Sequence, residues 1–157
     1  MASDLSNLLA EDLVLDLQST DSRKRILQKL ARIVSEKIHA DTRDILDAVL
    51  ERESLGSTGV GDGVAIPHAR IEGLDKPIGI FVRLSEGVDF DAIDNRPCDL
   101  IFMLLAPHNS GADHLRALAQ VSRAFRNAEL RAALRERTLG AEYAEILCPQ
   151  RVKADAA

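Results

Sequence analysis

From about Ser22 to His39 the apolar residues Ile26, Leu27, Leu30, Ile33, Val34 and Ile38 recur at intervals of three and four, the spacing that lines one stripe of an α-helix. Asp21 or Ser22 ahead of the stripe can cap it. A second helix is predicted from about Thr42 to Glu53, capped by Asp41, with Ile45, Leu46, Val49 and Leu50 facing in. Before these, Leu13, Leu15 and Leu17 alternate with Val14 and Asp16 as in a short strand. Ile78, Ile80, Val82 and Leu84 alternate with Phe81 and Arg83, and predict another. The run Asp99 to Ala106 is apolar without alternation and ends at Pro107, which places it in the middle of a sheet covered on both faces. Beyond it a helix is predicted to about Arg126 with Leu115, Leu118, Ala119 and Phe125 inward, and two shorter ones over about Ala128–Arg137 and Ala141–Leu147. Ser110 followed by Asp113 is a helix-start signature that puts His114 in the first turns.

Size adds little to this pattern except a bound on organisation. At 157 residues the chain is expected to be one domain, with a core over about 5–148 and a loose tail over 149–157. The formal net charge of −5 and the scarcity of aromatic residues speak against a general nucleic-acid binder. No apolar run is long enough to span a bilayer, and Met-Ala-Ser-Asp lacks the basic and apolar regions of a signal peptide, so a cytoplasmic protein is expected. Cys98 and Cys148 lie far apart without a Cys-x-x-Cys frame, and read as reduced and buried.

Candidate chemistry concentrates between Leu55 and Arg70. Gly56, Gly59, Gly61 and Gly63 fall close together, and Pro67 fixes φ just before His68. A Walker loop would need lysine where Asp62 stands, and a dinucleotide fingerprint from Gly59 would need glycine where Val64 stands, so no nucleotide cradle is implied. The segment is then either a glycine-rich turn with an incidental histidine or a device that presents His68 as a nucleophile near neutral pH. In the second case the economical partners are His114 at a helix start past the central strand and Arg52 on the last turn of the preceding helix. A neutral imidazole can attack phosphorus, and the arriving phosphoryl oxygens need fixed donors and cations. Each partner also has a plainer reading, His114 as a solvent-facing residue and Arg52 as a surface arginine within Glu51-Arg52-Glu53.

Other chemistries fit less well. His68, His108, His114 and Asp113 could be imagined around zinc, but there is no His-Glu-x-x-His and no cysteine pair. Neither Ser57 nor Ser110 lies in a Gly-x-Ser-x-Gly frame. No metal and no cofactor is called for.

Arg52-Glu53, Gly56-Ser57-Thr58-Gly59-Val60-Gly61, Ala65-Ile66-Pro67-His68, Phe90-Asp91-Ala92-Ile93-Asp94-Asn95 and Asp113-His114-Leu115 together resemble the IIA proteins of the bacterial phosphoenolpyruvate-dependent phosphotransferase system. The resemblance is to the fructose and mannitol type, especially its nitrogen-regulatory member, and runs from about Leu5 to Leu147. It implies an α/β fold of three layers, α/β/α, around a central mixed sheet of about four to five strands. It implies that His68 is phosphorylated, through Nε2, by a small HPr-like phosphocarrier, with His114 and Arg52 as the other site residues. Ala69 stands where many relatives have glycine. The length favours a regulatory IIA whose phosphorylation state selects its target proteins; the alternatives are a sugar-transport IIA that passes the group to a IIB domain, and an interaction module with an idle histidine.

Overall fold

A computed structural model describes residues 4–17, 22–136 and 145–149. Strand β1 (Leu9–Leu17) is followed by helices α1 (Arg23–Ser35) and α2 (Thr42–Ser54). Three short strands come next, β2 (Gly59–Gly61), β3 (Val64–Ala65) and β4 (His68–Ile71), then the long strands β5 (Ile78–Val88) and β6 (Cys98–Pro107) and helices α3 (Ala112–Phe125) and α4 (Ala128–Glu136). Ser22, in extended conformation, caps α1 by accepting a hydrogen bond from Arg25 N, and Asp41 caps α2 by accepting one from Arg43 N. Of the two caps proposed for α1, Ser22 is therefore the one in use. The predicted helix to His39 ends at Ser35, and residues 36–39 turn instead.

The strands form one mixed sheet in the order β1-β5-β6-β3-β2, with β4 also on β6. β5 and β6 are antiparallel, while β1 runs parallel to β5 and both β3 and β4 run parallel to β6. One face of the sheet packs Ile80, Val82, Ile101 and Met103 against the stripe Ile26, Leu27, Leu30 and Val34 of α1 and Ile45 and Val49 of α2. The other packs Phe81, Phe102 and Leu104 against Val121 and Phe125 of α3 and Leu130 and Leu134 of α4. Phe125 meets both sheet phenylalanines, with ring centroids 5.8 Å from Phe81 and 6.0 Å from Phe102. Burial on two faces is what the non-alternating run of β6 requires. At Gly79 an added Cβ would collide with the Phe102 ring, so glycine is what lets that ring approach β5 so closely. Among the described residues no helix is long and apolar enough to cross a membrane.

Three details differ from expectation. The sheet has six strands where four to five were expected, because the glycine-rich stretch read as a turn folds into β2, β3 and β4. Helix α3 is rotated from its predicted face: His114, Ala117, Val121, Ala124 and Phe125 are buried, while Leu115 is 63% exposed and Ala119 also faces solvent. Small alanines let this face lie close to the sheet, and the larger leucine is turned out. Finally, the helix-start signature at Ser110 and Asp113 makes no side-chain cap. Gly111, with φ 55°, occupies the N-cap position, and Asp113 pairs with Arg116 at 3.1 Å instead. Glu145 to Leu147 are helical, and the rest of the helix predicted from Ala141 lies outside the described residues, as do Arg137 and all of the predicted tail except Pro149.

Candidate active site

β3 and β4 lie in line along the same flank of β6, Val64 and Ala65 opposite Leu100 and Ile101, and His68 opposite Leu104. Between them Pro67 has no N–H to give, and Ile66 N turns away to Thr58 O at 2.9 Å. This break leaves Ile66 O within 2.8 Å of His68 Nδ1. A carbonyl can only accept, so the neutral ring carries its proton on Nδ1 and its lone pair on Nε2. That lone pair receives Arg52 Nε at 3.2 Å, while Arg52 Nη1 donates to Gly56 O at 3.0 Å. Arg52 lies on the last turn of α2, and the N–H of its C-cap Leu55 bonds back to Arg52 O at 3.1 Å.

His114 also stands at the ring, its centroid 5.6 Å from that of His68 and the planes tilted by 45°. It is 7% exposed, and its Nδ1 is buried without a hydrogen-bond partner among the described residues. Burial holds the His68 pKa below its ordinary 6.5, against the raising effect of the bond to Ile66 O; Arg52 pushes it down further and Glu53 raises it. His114 is lowered first by burial, then by His68 and Arg70. Both rings are therefore neutral at pH 7. The structure thus brings His68, Arg52 and His114 together: a half-buried ring with one unprotonated nitrogen, a guanidinium bonded to that nitrogen, and a second neutral ring alongside. Such a set suits an incoming phosphoryl group, which needs a lone pair to accept it and donors for its oxygens.

Comparison with known proteins agrees with this chemistry. A family model described as phosphoenolpyruvate-dependent sugar phosphotransferase system, EIIA 2, matches residues 7–147. The chain belongs to the EIIA 2 family. Among EIIA 2 relatives, a nitrogen regulatory protein from Bradyrhizobium diazoefficiens is 40% identical over 146 residues, covering 92% of this chain and 95% of the relative. A fructose-specific EIIA component from Haloferax volcanii is 37% identical over 135 residues, covering 85% and 88%. The crystal structure of the nitrogen regulatory protein IIA-Ntr from Neisseria meningitidis superposes with a TM-score of 0.82 at 33% identity, covering 89% of this chain and 96% of that one. Membership makes the chain a component of phosphoryl transfer.

This EIIA also carries site residues that the sequence alone did not single out. Glu53 is 8% exposed and accepts from Thr58 N at 3.4 Å, from Thr58 Oγ1, and from Arg23 Nη1 at 3.4 Å. Ser57 Oγ donates to Phe90 O and accepts from Gly59 N at 2.9 Å, which ties the glycine loop to the Phe90–Asn95 segment. Arg23 reaches the same segment through Phe90 O at 3.2 Å. The signal for Glu53 was its position: it follows Ile45 and Val49 at four-residue steps on the buried stripe of α2. The imagined zinc set does not assemble. Asp113 is exposed and paired with Arg116, and among the described residues no three His, Cys, Asp or Glu side chains could hold a metal ion.

Proposed function

We propose that this EIIA protein is a phosphohistidine carrier acting in the cytoplasm, which accepts a phosphoryl group on Nε2 of His68 from an HPr-like phosphocarrier. The observation that carries the proposal is the division of the ring: Nδ1 is engaged by Ile66 O, and Nε2 is left with a lone pair facing the Arg52 guanidinium. In the reaction the Nε2 lone pair attacks phosphorus, the nitrogen–phosphorus bond of the donor breaks, and its electron pair returns to the donor ring. Arg52 then turns its donors from Nε2 to the phosphoryl oxygens, and His114 offers a further donor. The exposed apolar side chains of Leu55, three residues past Arg52, and Leu115, next to His114, give a protein partner apolar surface beside the ring.

As a nitrogen-regulatory type of IIA, the protein uses its phosphorylation state to select regulatory target proteins, since a phosphoryl group adds charge and bulk where they dock. The likeness to a fructose-specific component supports a second reading, transfer onward to a IIB domain for sugar uptake. Incubation with phosphoenolpyruvate, the first enzyme of the system and its carrier tests the site: one acid-labile phosphoryl group is expected on the wild type and none on His68→Ala. Label that persists in the variant would move the site, and no label on the wild type would leave a plain interaction module. Rapid transfer to a purified IIB domain would replace the regulatory reading by the transport one.

A further inference from the structure

We infer that Glu53 is a positioning residue whose buried charge, carried on a chain from Arg23 to the acceptor ring, keeps the phosphoryl group on His68 ready to leave. This rests on the phosphohistidine reading of the same site. Glu53 occupies a place on the inner stripe of α2 where a third aliphatic residue would complete the pattern of Ile45 and Val49. A carboxylate placed there needs compensation. All its partners are donors, namely the Thr58 amide, the Thr58 hydroxyl and the Arg23 guanidinium, which is the environment of an ionised carboxylate.

The compensation is incomplete. Arg23 is the one cation bonded to Glu53 among the described residues, and it is shared with Asp91 Oδ2 at 3.4 Å and Phe90 O at 3.2 Å. Two carboxylates thus draw on one guanidinium, and the chain runs on to the ring: Thr58, bonded to Glu53, accepts from Ile66 N at 2.9 Å, and Ile66 O lies 2.8 Å from His68 Nδ1. Arg52 and Glu53, neighbours on the helix, then act on the guest with opposite sign. Arg52 attracts the phosphoryl dianion and Glu53 repels it. The same negative field favours the protonated phosphoimidazole, from which the ring is the better leaving group. When the group departs, the bond from Nε2 to phosphorus breaks, the electron pair stays on Nε2, and phosphorus bonds to a partner's nucleophile or to water. A carrier needs this balance, because a site that only attracts would hold what it receives.

Two substitutions test the inference because it assigns them opposite signs. Glu53→Gln keeps the shape and removes the charge: the amide oxygen can accept from Thr58 N and Arg23, and the amide nitrogen can donate to the Thr58 hydroxyl. The half-life of the phosphorylated protein should lengthen by about tenfold, and the exchange equilibrium with the carrier should move towards the phosphorylated protein by a similar factor. Arg23→Gln, at a side chain 30% exposed, leaves Glu53 less compensated and should shorten the half-life and move the equilibrium towards the carrier. Circular dichroism of both variants reports that they are folded. A role confined to holding the fold would shift both the same way, and that result, or a half-life and equilibrium unchanged in both, overturns the inference. Should Glu53→Gln not fold, the Arg23→Gln direction alone decides. Absence of label on the wild type would instead remove the phosphohistidine reading itself.

Discussion

The two helix ends that meet at His68 are built in opposite ways. At the end of α2 every polar side chain at the ring has bonded partners, even though Glu53 shares its cation with Asp91: Arg52 is bonded to His68 and Gly56 O, and Glu53 to Thr58 and Arg23. At the start of α3, Gly111 supplies no side-chain cap, and Ser110 Oγ and His114 Nδ1 are buried with no hydrogen-bond partner among the described residues. Buried polar atoms without partners are uncommon in native proteins, and functional sites are where they are tolerated. The contrast teaches a division of labour. The α2 end is assembled before any guest arrives, and the α3 start keeps bonding capacity in reserve.

The largest expected effect comes from breaking the assembled end. Arg52→Ala removes the charge next to the acceptor nitrogen and should slow phosphorylation by the carrier by about 10²-fold, read from initial rates of label uptake. A loss of less than about threefold would show that the guanidinium is a bystander. On the other side His114→Ala should slow uptake or shorten the life of the phosphorylated form by about tenfold or less. Its stability should change by only about 1 kcal/mol, because the cavity left behind is offset by removing a buried nitrogen that has no partner among the described residues. Urea unfolding gives that stability, and a loss above about 3 kcal/mol would mean that His114 is a core residue first.

The smallest effect sharpens the comparison through pH. Both histidines have pKa values held below 6.5 in the folded protein, so the unfolded chain takes up protons first as pH falls. The stability they contribute is complete above pH 6.5 and is lost as pH drops towards their folded values. The urea midpoint should therefore decline from pH 7.5 to 5.5, and decline less in either alanine variant. An equal decline in His114→Ala would remove the burial of that ring as a cause.

What was legible in the sequence tracks regular periodicity. The helical spacing from Ile26 to Val34 and the unbroken apolar run of β6 each arise from many residues that agree, and both elements stand where they were expected. Strand β3 is two residues long and ends before Pro67, too short to show any period, so the glycine stretch concealed three strands. On α3 the hydrophobic pattern pointed to Leu115, whereas packing chose Ala117 and His114, residues whose polarity or size gives a weak signal. The quoted motifs marked His68, Arg52 and His114, and the fold brings Arg52 and His114 each to the His68 ring. Glu53 was hidden because a charged residue between Arg52 and Ser54 reads as surface, although its four-residue step from Val49 points inward.

Which ring nitrogen of His68 takes the phosphoryl group decides whether the Arg52 end of the site serves the transfer. Two-bond nitrogen–proton NMR spectra of the histidine rings, recorded before and after phosphorylation, settle it directly. The free protein should show His68 protonated on Nδ1, and the phosphorylated protein should show phosphorus coupled to Nε2 of the same ring. Phosphorus on Nδ1, or on the ring of His114, would contradict the account.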